Sequence, residues 1–365
     1  MNSRIPTALA NASRRGLTLV ELLIVISIAV VLLAVAIPLA KQPLEQQKLR
    51  GASRQLNSLI ASAQARAVEL NRPVGLIFEI RDIGDVIDQS GLDAINATEG
   101  ITRVHFAEVP PLYGGDVSGA QVVVIRDVND GFYYAHFDQR SYAGVQSFVR
   151  AGELIRFGYR GRWFPVTTAP QVITAGVEIR VRITVVNASE ISQNRPIQFQ
   201  IKRRPQKSIR PPIDLPDDIV IDLVGSGVGN STTNFGVWFD APNNTWQRFG
   251  FPYVMLMFQP SGAIDQIYYG PVAKRPGGPI HFLVGRADQV LPTAPFTSSN
   301  DDLANLRDPE ALWVSIGHTT GRVTTTENLP TDDFVVDPNS SFTAAQQRVL
   351  LARSLAMSSQ SKGGR

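Results

Sequence analysis

The sequence predicts an α+β fold in which one long N-terminal helix precedes a β-rich globular domain. The first observation is an apolar run over residues 17–40 that continues into helical spacing up to Leu70. The second is a series of β-branched and aromatic runs between residues 74 and 340, several of them joined by turn residues. With 44% hydrophobic and 18% charged residues, most of the chain is expected to be ordered.

The apolar run is long enough to cross a bilayer as a helix, which takes about 20 apolar residues. Its polar residues are Thr18, Glu21 and Ser27. Two arginines precede the run, so the positive-inside rule places residues 1–16 in the cytoplasm and the bulk of the chain across the membrane. The segment is therefore expected to anchor the protein in the inner membrane with a single pass.

Two general interpretations of this segment leave part of it unexplained. A cleavable signal peptide with a small-residue site at Ala34-Val35-Ala36 would usually have a shorter apolar run, of about 7–15 residues. A plain signal anchor has the right length. Neither interpretation accounts for Glu21 or for the glycine at position 16.

The string Gly16-Leu17-Thr18-Leu19-Val20-Glu21-Leu22-Leu23 resembles the prepilin signal of type IV pilins and pseudopilins. The resemblance implies that a membrane prepilin peptidase cuts between Gly16 and Leu17 and N-methylates Leu17. Glycine suits the position before the cut because it adds no side-chain bulk. The chain departs from the family at Leu17, where Phe is commoner.

The resemblance also assigns Glu21, the fifth residue of the processed chain, to assembly. Its carboxylate and the Leu17 amine are each costly in lipid, and pairing offsets much of that cost. In the family, the glutamate of an incoming subunit pairs with the amine of its neighbour and sets the axial register. Pro38 stands at the family's distance from the mature start, where it either kinks the helix or ends it.

The helix is expected to continue as an amphipathic stretch over residues 41–72. Apolar residues recur there at spacings of three and four, which is typical of one buried helix face. They are Leu49, Ala52, Leu56, Leu59, Ala63, Ala67 and Leu70. Such a helix, with a membrane half and an amphipathic half packed on a globular domain, is the lollipop architecture of pilins.

The β-rich part is expected to contain three hairpins and further strands. The hairpins join 122–125 to 132–134, 253–258 to 263–269, and 312–316 to 322–326, each across turn residues. The further strands are 177–186, 197–201 and 219–224. Polar or Pro/Gly-rich stretches are interpreted as connections, namely 82–100, 203–217, 225–246 and 270–308.

A second resemblance concerns the subfamily. The small-residue helix Ala61–Ala67 and the strand after it, together with Phe258-Gln259-Pro260-Ser261-Gly262 and Thr320-Gly321-Arg322-Val323, are similar to elements of GspH/FimT-type minor pseudopilins. This chain is much longer than a typical member, so large insertions are implied. The resulting division has five parts: leader 1–16, transmembrane and assembly helix 17–40, amphipathic continuation 41–72, β-rich pseudopilin domain 73–341, and C-terminal helix and tail 342–365.

The C-terminal segment is expected to be helical and to pack on the domain. Thr343-Ala344-Ala345-Gln346 fits a capping box. Phe342, Ala345, Val349, Ala352 and Ala356 follow helical spacing.

Formal charge does not identify an anionic partner. The chain carries 35 Lys and Arg against 32 Asp and Glu, a net charge of +3. Residues 1–16 hold Arg4, Arg14 and Arg15 and no acidic residue, so residues 17–365 are neutral. The chain has no Cys, which excludes disulfides, thiolate metal sites and cysteine nucleophiles.

The sequence assembles no recognisable active site and calls for no cofactor or metal. His105, His136, His281 and His318 lack ligand spacing. Residues 225–230, Gly-Ser-Gly-Val-Gly-Asn, mimic a phosphate loop without a following helix and are interpreted as a flexible loop. Asp82, Asp85 and Asp88 are interpreted as a solvated loop, with calcium binding as the open alternative.

A short basic segment is the candidate patch for nucleic acid or a partner protein. It consists of Lys202, Arg203, Arg204, Lys207 and Arg210. A solvated loop or a contact to an acidic neighbouring subunit is the favoured interpretation, and DNA binding is the alternative. Interleaved aromatic residues, which would help to bind single strands, are missing from the segment.

These observations predict a structural, non-enzymatic protein. It would be a minor pseudopilin of a type II secretion system or a minor pilin of a type IV pilus. The expected partners are the prepilin peptidase/N-methyltransferase, other pilin or pseudopilin subunits and the inner membrane. The alternatives are a DNA-binding minor pilin of a competence pilus and a signal-anchored extracytoplasmic enzyme.

Overall fold

A computed structural model describes residues 19–82, 99–229, 234–235, 237–240, 245–248, 252–269, 273–290, 304–329, 337, 339–340 and 344–362. For residues 33–43, 82, 99, 188, 237–240, 245–248, 344–345 and 359–362, only the backbone is described. Gly16, Leu17, Asp85, Asp88 and Thr343 lie outside these ranges. The chain forms two compact units, Met1–Lys48 and Leu49–Arg365, which are treated separately.

One helix, α1, extends over Leu19–Leu70, as the sequence predicts. It continues through position 38, so the proline does not end it. In the first unit, the large apolar side chains between Leu19 and Leu32 are 52–80% exposed. Within the described part of the chain, none of the helices is both long enough and apolar enough to cross a membrane.

The second half of α1 lies in the second unit and buries the predicted face. Leu49, Ala52, Leu56, Leu59, Ala63 and Ala67 are buried, together with Ile60. They form one core with the main β-sheet. The helix ends at Leu70, after which Asn71 adopts a left-handed φ of 48°, and Pro73 follows.

The other elements follow in chain order. They are β1 (Val74–Asp82), β2 (Glu99–Glu108), β3 (Gln121–Arg126), β4 (Tyr133–Phe137), α2 (Tyr142–Phe148), β5 (Leu154–Phe157), β6 (Phe164–Pro165), β7 (Gln171–Thr174), β8 (Glu178–Ile183), β9 (Pro196–Lys202), β10 (Gln206–Lys207), β11 (Ile213–Asp214), β12 (Ile219–Val228), β13 (Val237–Asp240), β14 (Thr245–Arg248), β15 (Tyr253–Phe258), β16 (Ile264–Tyr268), β17 (Ile280–Arg286), β18 (Leu312–Ile316), β19 (Val323–Glu327) and α3 (Ala344–Lys362). All three predicted hairpins are confirmed, as β3–β4, β15–β16 and β18–β19.

The main sheet has ten strands in the order β16-β15-β1-β2-β12-β17-β18-β19, with β10 and β11 also paired to β2. Every strand pair in it is antiparallel. One face packs on the second half of α1. On the other face, Leu283 and Trp313 pack on Val349, Ala352 and Ala356 of α3, which confirms the predicted packing of the C-terminal helix.

Three segments interpreted as connections contain strands: 203–217 contains β10 and β11, 225–246 contains the end of β12, β13 and the start of β14, and 270–308 contains β17. Residues Ile280–Arg286 form β17, which is buried between α1 and α3, so its apolar residues run without the alternation that marks a half-buried strand. Gly225, Ser226, Gly227 and Val228 belong to β12 rather than to a flexible loop. A register shift between Asp222 and Gly227 accommodates them, and a Cβ on Gly225 would press on Leu283.

A second β-structure is inserted between β2 and β10. Its seven strands have the order β6-β5-β9-β3-β4-β8-β7. The sheet closes on itself, because the Thr184 N–H donates to the Pro165 carbonyl over 2.9 Å and the Thr167 N–H to the Arg182 carbonyl over 2.8 Å. The result is a small barrel, and its interior forms a core separate from that of the main sheet.

Candidate functional sites

The described part of the N-terminal motif begins at the first turn of α1. Glu21 lies in this turn and is exposed. A carboxylate there is favoured by the unsatisfied N–H groups at the helix start. The Ser27 hydroxyl donates to the Leu23 carbonyl over 2.8 Å, so this polar group is satisfied by its own helix. Gly16 and Leu17 lie outside the described residues, and Pro38 is described by its backbone alone.

The predicted basic patch divides between the barrel and the main sheet. Lys202, Arg203 and Arg204 lie at the end of β9 in the barrel, whereas Lys207 lies on β10 beside β2. The Arg203 guanidinium stacks on the Phe148 ring at 4.5 Å, and the Arg204 backbone N–H donates to Glu153. Lys202, Arg203 and Arg204 therefore have the barrel as their surroundings, whereas Lys207 and Arg210 lie beside β2 of the main sheet.

On the main sheet, the carboxylate of Glu79 offsets part of the positive charge of the basic residues. Lys207 Nζ lies 3.7 Å from Glu79 Oε2, and His105 Nε2 lies 2.8 Å from the same oxygen. The hydrogen bond with His105, followed by the charge of Lys207, lowers the pKa of Glu79 against the effect of burial. Arg210 stacks on the Phe106 ring at 5.4 Å.

A buried polar cluster between β12, β17, β18 and α3 was missed by the sequence analysis. Arg353 of α3 has no exposed surface, and its guanidinium donates to the Gly225 carbonyl over 2.9 and 3.0 Å and to the Gly229 carbonyl over 3.4 Å. Asp222 accepts from the Val224 and Gly225 N–H groups and from Asn305. Burial lowers the pKa of Arg353 to about 9 and raises the pKa of Asp222.

A histidine and a serine in this cluster stand in the arrangement of a catalytic pair, but both are buried. His281 Nδ1 lies 2.8 Å from Ser315 Oγ across β17 and β18. His281 Nε2 has no hydrogen-bond partner among the described residues. Burial and the nearby Arg353 charge lower the His281 pKa to about 3, which makes the imidazole a poor general base. The pair therefore contributes packing rather than chemistry.

The depressed pKa of His281 predicts that stability falls in mild acid. Between pH 6.5 and about 3 the unfolded chain binds a proton on this residue that the folded chain does not. The free energy of unfolding should therefore fall with decreasing pH, by at most about 1.4 kcal/mol per pH unit. The raised pKa of Asp222 acts in the opposite direction. His281→Phe should flatten the dependence relative to the unmodified chain in urea titrations between pH 6 and 4, and an unchanged slope would contradict this assignment.

Metal binding receives no support from the described residues. No group of three or more His, Asp or Glu side chains there could hold a metal ion. His105 and His136 each contact one glutamate instead, Glu79 and Glu178 respectively. The predicted acidic loop of Asp82, Asp85 and Asp88 lies outside the described side chains.

Comparison with known proteins identifies the N-terminal segment. Residues 11–37 match the family described as the prokaryotic N-terminal methylation motif. The match includes Gly16, Leu17 and Glu21. No curated protein and no solved structure matches the chain. The chain carries a prepilin motif of the kind found in type IV pilins and pseudopilins.

This motif supports a type IV pilin-like protein that is processed by a prepilin peptidase. It implies assembly with other pilins and points to inner-membrane anchoring before incorporation into a pilus. The same motif favours a structural subunit. Similarity to GspH/FimT-type members remains a prediction.

Proposed function

We propose that this protein is a minor pseudopilin or minor pilin, a structural subunit of a type II secretion pseudopilus or a type IV pilus. The observation that carries the proposal is the methylation motif at residues 11–37. The exposed apolar surface of α1 supports it, because an apolar helix face of this size needs lipid or other helices to cover it. The mechanism is mechanical: helices pack side by side, and subunits display their β-rich domains.

In this proposal the apolar run over residues 17–40 lies in the inner membrane before assembly. Residues 1–16 lie on the cytoplasmic side, and the β-rich domain lies on the periplasmic or extracellular side. Cleavage after Gly16 creates the Leu17 amine, which Glu21 of a neighbouring subunit neutralises. The ion pair then selects one axial register among the many that apolar helices could adopt.

The inserted barrel favours a minor rather than a major subunit. It adds a second folded body between β2 and β10 of the main sheet. A unit that repeats along a filament tends to be compact, since each copy must fit against several neighbours. A subunit present in few copies, near a tip or along a pseudopilus, tolerates such an insertion.

The proposal predicts a defined processed N-terminus. Mass spectrometry of the protein purified from cells with a prepilin peptidase should find N-methyl-Leu17 as the first residue. Gly16→Ala should be processed more slowly, and Gly16→Val should accumulate as the precursor, because a branched side chain adds bulk beside the scissile bond. An intact Met1, or an N-terminus at Ile37 or Lys41, would contradict the proposal.

A further inference from the structure

A cleft of about 310 Å³ lies where the barrel meets the β16 end of the main sheet. Three consecutive cationic residues from the end of β9 line its barrel side: Lys202, Arg203 and Arg204. Gln266 and Tyr268 of β16 line the other side. Both walls belong to the compact unit Leu49–Arg365. The cleft therefore combines positive charge with neutral hydrogen-bonding groups.

Gly152 leaves room for the Arg204 guanidinium at the cleft. Gly152 has a φ of +87°, and a Cβ at this position would overlap the guanidinium group. The side chain thus lies directly on the glycine backbone, where no other residue would leave room. Arg204 is also close enough to Tyr268 to act on the pKa of its hydroxyl, which burial raises to about 12. Tyr268 is consequently neutral at physiological pH, and its hydroxyl donates to Gln266 Oε1 over 2.8 Å, which leaves the hydroxyl oxygen as an acceptor.

A buried carboxylate forms part of the cleft lining without cancelling its charge. Glu153 is 2% exposed, and its two oxygens accept the backbone N–H groups of Arg150 over 3.0 Å and Arg204 over 3.4 Å. Burial raises the pKa of Glu153. Even with Glu153 ionised, the three cations leave the lining positive. Arg203 Nε is buried without a hydrogen-bond partner among the described residues.

An aromatic surface adjoins the cleft on the outer face of the barrel. Lys202 pairs with Leu154 and Gln200 pairs with Arg156, so these four side chains share one face of the β5–β9 ladder. The Arg156 guanidinium lies 4.6 Å from the ring centroid of Trp163 and donates to Gln200 Oε1. Arg156 has no carboxylate partner in the described part of the chain. The Arg156–Gln200 pair beside the indole therefore lies one step along the same face, about 7 Å, from the Leu154–Lys202 pair at the cleft.

The formal charge of the mature chain is segregated. Residues 109–205, which contain the barrel, carry twelve Arg and Lys against seven Asp and Glu, a net charge of +5. Because residues 17–365 are neutral in total, the rest of the mature chain carries −5. The neutral total thus conceals a positively charged barrel. Such a body attracts anionic ligands to its surface.

We propose that the cleft and the adjoining Trp163 surface bind an acidic polysaccharide. A sugar carboxylate would be bound by Lys202 and Arg204, since charge-assisted hydrogen bonds are the strong ones. Sugar hydroxyl groups suit the NH₂ donors of Gln200 and Gln266, whose Oε1 atoms already accept from Arg156 and Tyr268 respectively, and the oxygen of the Tyr268 hydroxyl as an acceptor. The apolar face of a neighbouring sugar ring would lie against the half-buried indole of Trp163. This site is independent of processing and assembly.

The same surface is less suited to single-stranded nucleic acid. Strands without sequence preference are held by successive bases stacked on successive aromatic rings. Here the two rings near the cleft are already stacked on guanidinium groups, Trp163 on Arg156 and Phe148 on Arg203. A saccharide needs one apolar platform, several neutral polar groups and a cation for its acid, which is the composition of this site.

The test is direct binding of defined oligosaccharides to the full mature chain in a polyoxyethylene detergent, which contains no sugar. Titration calorimetry with oligogalacturonate should show binding, and neutral oligogalactose should bind at least about tenfold more weakly. Oligo-dT serves as the nucleic-acid probe. Preference for oligo-dT, equal binding of the neutral oligomer, or no binding of oligogalacturonate would each overturn the proposal.

Charge-matched variants distinguish binding at the cleft from general electrostatic attraction to the positively charged barrel. Arg204→Gln and Lys202→Gln should each weaken oligogalacturonate binding about tenfold. Arg160→Gln removes the same charge from an exposed barrel position outside the cleft and should change the affinity less than about twofold. Gly152→Ala crowds the Arg204 guanidinium without changing the charge and strains the backbone at a φ of +87°, so it should also weaken oligogalacturonate binding. Equal losses in Arg160→Gln and Arg204→Gln would overturn the assignment of the cleft.

Discussion

Glu21→Ala is expected to leave membrane insertion and leader cleavage intact and to reduce incorporation into filaments about a hundredfold. Without the carboxylate, the Leu17 amine of the neighbouring subunit would remain an uncompensated cation in an apolar helix bundle. The measurement is the ratio of protein in sheared filaments to protein in the membrane fraction, with all other subunits unmodified. Mass spectrometry of the membrane pool reports cleavage in the same cells.

Two further variants make this expectation specific to charge. Glu21→Gln keeps the size and hydrogen-bonding capacity of the side chain but loses its charge, and it should be as defective as the alanine variant. Ser27→Ala changes a polar residue on the same helix whose hydroxyl bonds the Leu23 carbonyl, and it should assemble normally. Wild-type incorporation of Glu21→Gln would show that charge neutralisation does not select the register.

Arg353→Ala is expected to lower the free energy of unfolding by about 3–5 kcal/mol. The substitution leaves the buried carbonyls of Gly225 and Gly229 without the guanidinium donors and opens a cavity beneath α3. Urea denaturation followed by tryptophan fluorescence suits the measurement, because Trp313 packs in the same apolar cluster. Arg353→Met should lose less, since it fills more of the space and removes a charge that is costly to bury.

An exposed arginine provides the matched control for this experiment. Arg54 lies on α1 with its side chain exposed, and Arg54→Ala should change the free energy of unfolding by less than about 0.5 kcal/mol. A loss in Arg353→Ala no larger than that of Arg54→Ala would show that the buried guanidinium does not hold α3 on the sheet.

The sequence predicts those features whose signals come from residues that lie close together in the chain. The prepilin motif, the buried face of α1 and the three hairpins each depend on residues that are close in the chain. The strand β17 is buried on both faces and carries no alternation, so its neighbours in sequence gave no indication of its place in the sheet.

Long-range contacts account for what the sequence could not show. Gly225 and Gly229 look like a loop because of their composition, yet Arg353, more than 120 residues away, bonds their carbonyls. Closure of the barrel likewise depends on the pairing of Val166 with Ile183 and on hydrogen bonds between backbone groups that carry no sequence signal. Lys202, Arg203 and Arg204 were found as a basic segment, but the Gly152 backbone and Tyr268 beside them come from distant positions.

The inserted barrel has a consequence for the order in which an exported chain reaches its native state. All its strands lie between Gln121 and Lys202, so the barrel can close as soon as that segment has emerged. The main sheet cannot, because β1 must wait for β15 and β2 must wait for β12. Pairing between strands so distant in the chain is slow. We therefore expect the barrel to be the first folded body to form, while β1 and β2 each still present an open edge.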